Sequence, residues 1–199
     1  MQGTDKKTKE LTMLAILVAL VIVLQTVSNY VSVGVVKITL TLVPIVIGGI
    51  LLGPKAGAIL GGSFGLIVAF FVITGLDAWS HDSMFVYRPF VTIILCILKG
   101  TLAGFVPALI YKAMPKKHPV LSSFVAAVSA PLVNTAVFLA GVLLFYREKF
   151  TEWGSEQFAN IFLFLIIGFC GLNFIFEFTT SAVLSPAITT IVRAARKSR

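Results

Sequence analysis

Four nitrogen-bearing side chains, Arg88, Lys99, Asn134 and Asn173, lie inside or at the start of long apolar runs and could bind a ligand. Ionisable groups within membrane spans are costly, so they are functional candidates by default. Lys99 lies about nine residues into its run, or ~13 Å at 1.5 Å per residue. It could face a ligand carboxylate or pair with Glu177, which also lies in an apolar run. Both alternatives stay open on the sequence.

The two asparagines each lie near the middle of an apolar run. A single asparagine within the membrane is explained equally well by a hydrogen bond between helices and by contact with a ligand. Taken together, the four side chains are stronger evidence for a binding site than any one of them, because their depths are compatible with one cavity that opens outward. We therefore predict a binding site formed by the last three spans.

A polar loop, residues 75–89, precedes one of these spans and contains Trp79, Tyr87 and Arg88. Its aromatic rings could anchor the chain at the membrane interface, where Trp and Tyr are enriched. They could instead cap a pocket and stack on a ligand, with the Arg88 guanidinium binding an anionic group through two parallel hydrogen bonds. We predict that Trp79, Tyr87 and Arg88 bind substrate.

Catalytic and metal-binding patterns find little support. The sequence has no His-Glu-x-x-His, Gly-x-Ser-x-Gly or phosphate-cradling Gly-x-x-x-x-Gly-Lys-Ser/Thr motif. Asp77, His81 and Asp82 could be metal ligands, but three such residues in one loop do not define a coordination geometry. We predict no metal site, no enzyme activity and no ATPase site, so an ATP-driven step would need a partner.

The composition identifies a membrane protein. Of the 199 residues, 58% are hydrophobic and 12% charged, and the mean hydropathy is +1.01. The apolar runs are continuous, which favours helices over a β-barrel, and the net charge of +8 is located at span ends instead of forming a nucleic-acid-binding stripe. We predict one membrane domain, residues 1–199, an all-α bundle with six spans at about residues 11–31, 38–52, 56–74, 90–113, 120–146 and 158–192.

The positive charges predict the orientation of the bundle. With the N-terminus inside, the inner connectors and termini carry 11 Lys and Arg residues and the outer connectors carry four. Cytoplasmic loops carry the excess of Lys and Arg, so both termini are predicted to be cytoplasmic.

Residues 38–65 form a predicted glycine-rich hairpin of two apolar runs joined by a tight turn. Gly57, Gly61 and Gly65 recur four residues apart, which leaves one helix face nearly bare and allows close backbone approach in lipid. Its position favours a compact base on the side of the first three spans, with the glycine face supporting the first helix.

The chain resembles the substrate-binding S component of energy-coupling factor (ECF) vitamin transporters. The resemblance is carried by the six spans, Ala15-x-x-x-Ala19 on the first of them, and the short second span ending in Leu52-Gly53-Pro54-Lys55-Ala56-Gly57. It covers nearly the whole chain, which looks most like the pantothenate-type members.

The resemblance implies a subunit of a prokaryotic cytoplasmic membrane that binds a vitamin on the outer side. It also implies docking through Ala15 and Ala19 onto a transmembrane coupling subunit, which is bound to two ATPases that use ATP. Packing of these alanines within their own bundle is the alternative. Folate and riboflavin are the alternative substrates to pantothenate. The alternative functions are a small secondary transporter and an intramembrane enzyme.

Overall fold

The protein is an all-helical bundle, represented by a computed structural model that describes residues 2–30, 32–33, 36–37, 40–115, 117–151 and 171–197. A two-stranded hairpin follows the first helix, with Ser32 opposite Lys37. The elements in chain order are α1 (Gln2–Tyr30), β1 (Ser32–Val33), β2 (Val36–Lys37), α2 (Leu42–Leu52), α3 (Pro54–Ile73), α4 (Ala78–Ser80), a π-helical turn (His81–Phe85), α5 (Pro89–Ala113), α6 (Pro119–Phe145) and α7 (Leu172–Lys197).

Five of the described helices are long and apolar enough to cross a membrane. They are α1, α3, α5, α6 and α7. The ends of α3, α5 and α6 lie within two residues of the ends of the predicted spans 56–74, 90–113 and 120–146. Part of the sixth predicted span, residues 158–170, lies outside the described residues. The six-span count and the orientation of the termini stay predictions.

In the second predicted span, residues 38–52, the helix is shorter than the predicted span. Helix α2 begins only at Leu42 and has 11 residues, or ~16 Å of helix, which is about half of the hydrocarbon thickness. Most of its residues are buried, because neighbouring helices surround it. Gly53, at a φ of 96°, then turns the chain directly into α3, in a conformation that favours glycine.

The glycine face of α3 packs against α5. A Cβ on Gly57 would meet the Gly104 carbonyl, and a Cβ on Gly61 would meet the carbonyl of Gly100. Gly65 approaches the backbone of α5 at Cys96. The expectation that this face supports the first helix is therefore wrong: glycines on both α3 and α5 let these two backbones touch, and the hairpin adjoins the helix that carries Lys99.

Helix α1 lies at the edge of the bundle. Of the most apolar 18-residue stretch of α1, only 17% is buried inside the bundle, compared with 33% to 50% for the same stretch of the other four long helices. Its contacts with the bundle include a hydrogen bond of 3.0 Å from Thr41 Oγ1 to Gln25 Oε1 and the approach of Leu17 to Gly48 of α2. One long face of α1 is consequently exposed along the span.

Candidate substrate-binding site

The loop between α3 and α5 is folded into helical turns at the end of the bundle. The Asp77 carboxylate accepts hydrogen bonds from the backbone N–H and hydroxyl of Ser80, at 3.5 and 3.0 Å. Nδ1 of His81 lies 2.8 Å from the Val72 carbonyl. Ser83 and Met84 of the same loop are buried. These contacts stabilise the fold of the loop that carries Trp79, Tyr87 and Arg88.

No group of three His, Cys, Asp or Glu residues within the described ranges could hold a metal ion. Asp77 and His81, two of the possible metal ligands in the sequence, instead stabilise the fold of the loop through the hydrogen bonds just described.

Arg88 lies at the start of α5, and its backbone is tied to the end of α6. Its carbonyl accepts hydrogen bonds from Thr92 Oγ1 at 2.8 Å and from the Tyr146 hydroxyl at 3.2 Å. Its guanidinium lies 5.4 Å from the centre of the Tyr87 ring, a cation–π distance. Both Arg88 and Tyr87 are exposed, so the arginine is held by its backbone while its charge faces outward.

Trp79 is half-buried and belongs to an apolar cluster with buried Tyr146 and Phe150. The Trp79 and Phe150 rings meet at 6.1 Å with an angle of 61° between their planes. Sequence reasoning missed Tyr146 and Phe150, because an aromatic residue at the end of an apolar run looks like an interfacial anchor. The edge-on contact takes up part of the Trp79 ring and leaves less of it for stacking on a flat ligand.

A polar cluster lies deeper, between α5, α6 and α7. Glu177 is only 3% exposed and its Oε1 accepts a hydrogen bond from Asn173 Nδ2 at 3.4 Å. Asn134 and Lys99 lie near enough to this carboxylate to influence it electrostatically. The Lys99 ammonium lies 5.1 Å from the centre of the Phe138 ring. The structure thus brings three of the six predicted substrate-binding residues, Lys99, Asn134 and Asn173, near Glu177, which is not itself among the six.

Three oxygens of this cluster are buried without a hydrogen-bond partner among the described residues: Asn134 Oδ1, Asn173 Oδ1 and Glu177 Oε2. A buried polar atom left unpaired costs ~1–3 kcal/mol. Each of these oxygens therefore needs a hydrogen-bond donor, such as a bound water or a ligand group.

The six predicted residues form two groups at different depths. Trp79, Tyr87 and Arg88 lie at the loop end of α5, while Lys99 follows Arg88 by 11 positions along the chain, or ~16 Å of helix. The apolar cluster joins them, since Trp79 and Phe138 both pack against it. The deeper group contains polar atoms that are buried, whereas Tyr87 and Arg88 of the outer group are exposed at the end of the bundle.

Ala15 and Ala19, the predicted docking residues, both lie on the exposed face of α1. Larger apolar side chains, including those of Leu11, Ile22 and Val23, share this face and are 44% to 66% exposed. Packing of the two alanines inside their own bundle is therefore not seen in the described chain.

Comparison with known proteins shows the family of the chain. The profile of the family "ECF transporter, substrate-specific component" matches residues 9–189. The chain is 26% identical to the pantothenic acid transporter PanT of Lactococcus lactis subsp. cremoris (strain MG1363) over 96% of its own length and 97% of that protein. No solved structure matches the chain significantly. The chain is a multi-pass membrane protein and belongs to the family of ECF transporter substrate-specific components.

Proposed function

We propose that this chain is the pantothenate-binding subunit of an ATP-driven importer in a prokaryotic cytoplasmic membrane. The observation that carries the proposal is the cluster of Lys99, Asn134 and Asn173 around Glu177. An ammonium has three donors, and this one lies over an aromatic ring in a membrane interior. It can bind a carboxylate there through charge-assisted hydrogen bonds, which are about twice as strong as neutral ones.

The rest of the cluster suits a ligand that is polar beyond its carboxylate. Two asparagine carbonyl oxygens and one carboxylate oxygen can accept hydrogen bonds, and pantothenate carries two hydroxyls and one amide N–H. The relative named as a pantothenic acid transporter supports the same choice. Riboflavin and folate are supported less, because their flat rings would need to stack on an aromatic side chain, and part of the Trp79 ring is already in contact with Phe150.

Transport then needs partners. We propose that Ala15 and Ala19 on the exposed face of α1 dock onto a transmembrane coupling subunit. Small side chains allow close helix approach in lipid, and two partner ATPases supply the energy for inward release. The chain itself supplies substrate binding and carries out no chemical reaction.

The proposal is tested by measuring binding of radiolabelled pantothenate, folate and riboflavin to the purified chain. We expect pantothenate to bind most tightly. Uptake into vesicles is then measured with and without the coupling module and ATP. If only folate or only riboflavin bound tightly, that vitamin would be the substrate in place of pantothenate. If none of the three bound, the proposal would be overturned.

The same vesicles test the alternative function, a self-sufficient secondary transporter in which Lys99 and Glu177 relay protons. Uptake that is driven by an ion gradient without ATPase partners, and that is abolished by an ionophore, would favour it. We expect uptake to require the coupling module and ATP and to be unaffected by the ionophore.

A further inference from the structure

The Glu177 carboxylate lies beside an asparagine of its own helix and near one of another helix. Asn173 lies one turn before it on α7, and Asn134 lies on α6. An ionised carboxylate accepts hydrogen bonds and donates none. Asn173 presents its NH₂ group to Glu177, and Asn134 is near the same carboxylate.

This hydrogen bond decides where the Asn173 carbonyl points. A carboxamide has donors on one side and an acceptor on the other, so an NH₂ group held by Glu177 turns the oxygen away from it. Both oxygens, Asn134 Oδ1 and Asn173 Oδ1, are buried and have no hydrogen-bond partner among the described residues. Glu177 Oε2 is in the same state. The cluster thus offers three unpaired acceptors, and the nearby ammonium of Lys99 is its cation.

We propose that Glu177 orients Asn173, so that the Asn173 carbonyl oxygen, the Asn134 carbonyl oxygen and Glu177 Oε2 together select a ligand rich in hydrogen-bond donors. This inference rests on the proposed function and deepens it. It assigns the discrimination between a hydroxylated acid and its deoxy counterpart to the amide pair and Glu177, and the recognition of the carboxylate to Lys99. A ligand without donors would leave the three oxygens unpaired at full cost.

The preference for a hydroxylated ligand follows from how binding sites discriminate between a ligand and its deoxy analogue. A site built to hydrogen-bond a ligand hydroxyl strongly rejects the analogue that lacks it, because the buried acceptors of the site are then left unpaired. Glu177→Gln keeps the volume and adds an NH₂ group. That group needs an acceptor and can take one of the asparagine carbonyls, which turns part of the acceptor surface into donors.

The experiment measures the affinities of pantothenate and of an analogue with both hydroxyls replaced by hydrogen, for the wild type, Glu177→Gln and Ser181→Ala. Ser181 is a matched control, because it lies one turn further along α7 and is 4% exposed. We expect the wild type and Ser181→Ala to prefer pantothenate by about 100-fold or more. In Glu177→Gln this ratio should fall at least ~10-fold, while the affinity for the analogue changes less than about threefold.

A general loss of packing would weaken both ligands together and leave their ratio unchanged, so an unchanged ratio in Glu177→Gln overturns the inference. If Glu177→Gln does not fold, the wild type alone decides: binding of pantothenate and the analogue with equal affinity overturns the inference and leaves the proposed function intact. A wild type that binds no vitamin overturns the proposed function, and the inference with it.

Discussion

The Tyr146 hydroxyl lies 2.7 Å from Thr92 Oγ1, and this contact joins the end of α6 to the first turn of α5. Both hydroxyls also lie within hydrogen-bond distance of the Arg88 carbonyl, at 3.2 Å for Tyr146 and 2.8 Å for Thr92. Tyr146 is 1% exposed and Thr92 is 2% exposed. This buried pair fixes the backbone of Arg88 at the position where α6 ends and α5 begins.

Removing the Tyr146 hydroxyl should therefore loosen this end of the bundle. We expect Tyr146→Phe to lower the free energy of unfolding by ~1–2 kcal/mol, because the phenyl ring keeps the packing but leaves a buried hydroxyl and carbonyl with one partner fewer. Unfolding by SDS in mixed micelles measures this. Tyr30→Phe is the control, since Tyr30 is 70% exposed, and equal stability of the two variants would contradict the expected role.

The contact between α3 and α5 depends on Gly61. A Cβ there would collide with the Gly100 carbonyl, which cannot move without separating two helices. We expect Gly61→Ala to lower the free energy of unfolding by ~1–3 kcal/mol. Gly62→Ala is the control, since its Cβ would meet only Thr101 Oγ1 at 3.3 Å. Similar unfolding curves for the two variants would show that the glycine contact is unimportant.

Lys99 should bind the ligand carboxylate and no other part of the ligand. A hydrogen bond to a charged group is worth ~1.5–3 kcal/mol, which is about 10- to 150-fold in affinity. Lys99→Met should weaken pantothenate binding by this factor, while the affinity for pantothenol, which has an alcohol in place of the carboxylate, stays within about threefold of the wild type.

Isothermal titration of both ligands checks this, with Lys112→Met as the control at the exposed end of the same helix. If Lys99→Met weakened pantothenol as much as pantothenate, Lys99 would be stabilising the bundle instead of recognising a charge.

The exposed face of α1 should be required for transport and dispensable for binding. We expect Ala19→Trp to keep pantothenate affinity within about threefold and to abolish uptake, because a bulky ring prevents close approach of a partner helix. Leu20→Trp is the control, since Leu20 is exposed but lies about 100° further around the helix. Binding and uptake are measured on the same preparations. Equal loss of both activities in Ala19→Trp would contradict a docking role.

The sequence alone determined the class of the protein and most of its long helices. Continuous apolar runs with charge at their ends specify membrane helices because backbone polar groups must be satisfied within each span. The Gly53-Pro54 break located the turn into α3. Lys99, Asn134 and Asn173 stood out because polar side chains are expensive in an apolar span.

Tertiary structure decided which elements meet. The spacing of Gly57, Gly61 and Gly65 showed that one face of α3 packs closely, but a 3.6-residue period carries no information on the partner, which proved to be α5. The proximity of Asn134 to Glu177 depends on α6 and α7 packing together. Contacts between residues some 40 positions apart follow from the fit of helix surfaces, and that fit appears only once the bundle has assembled.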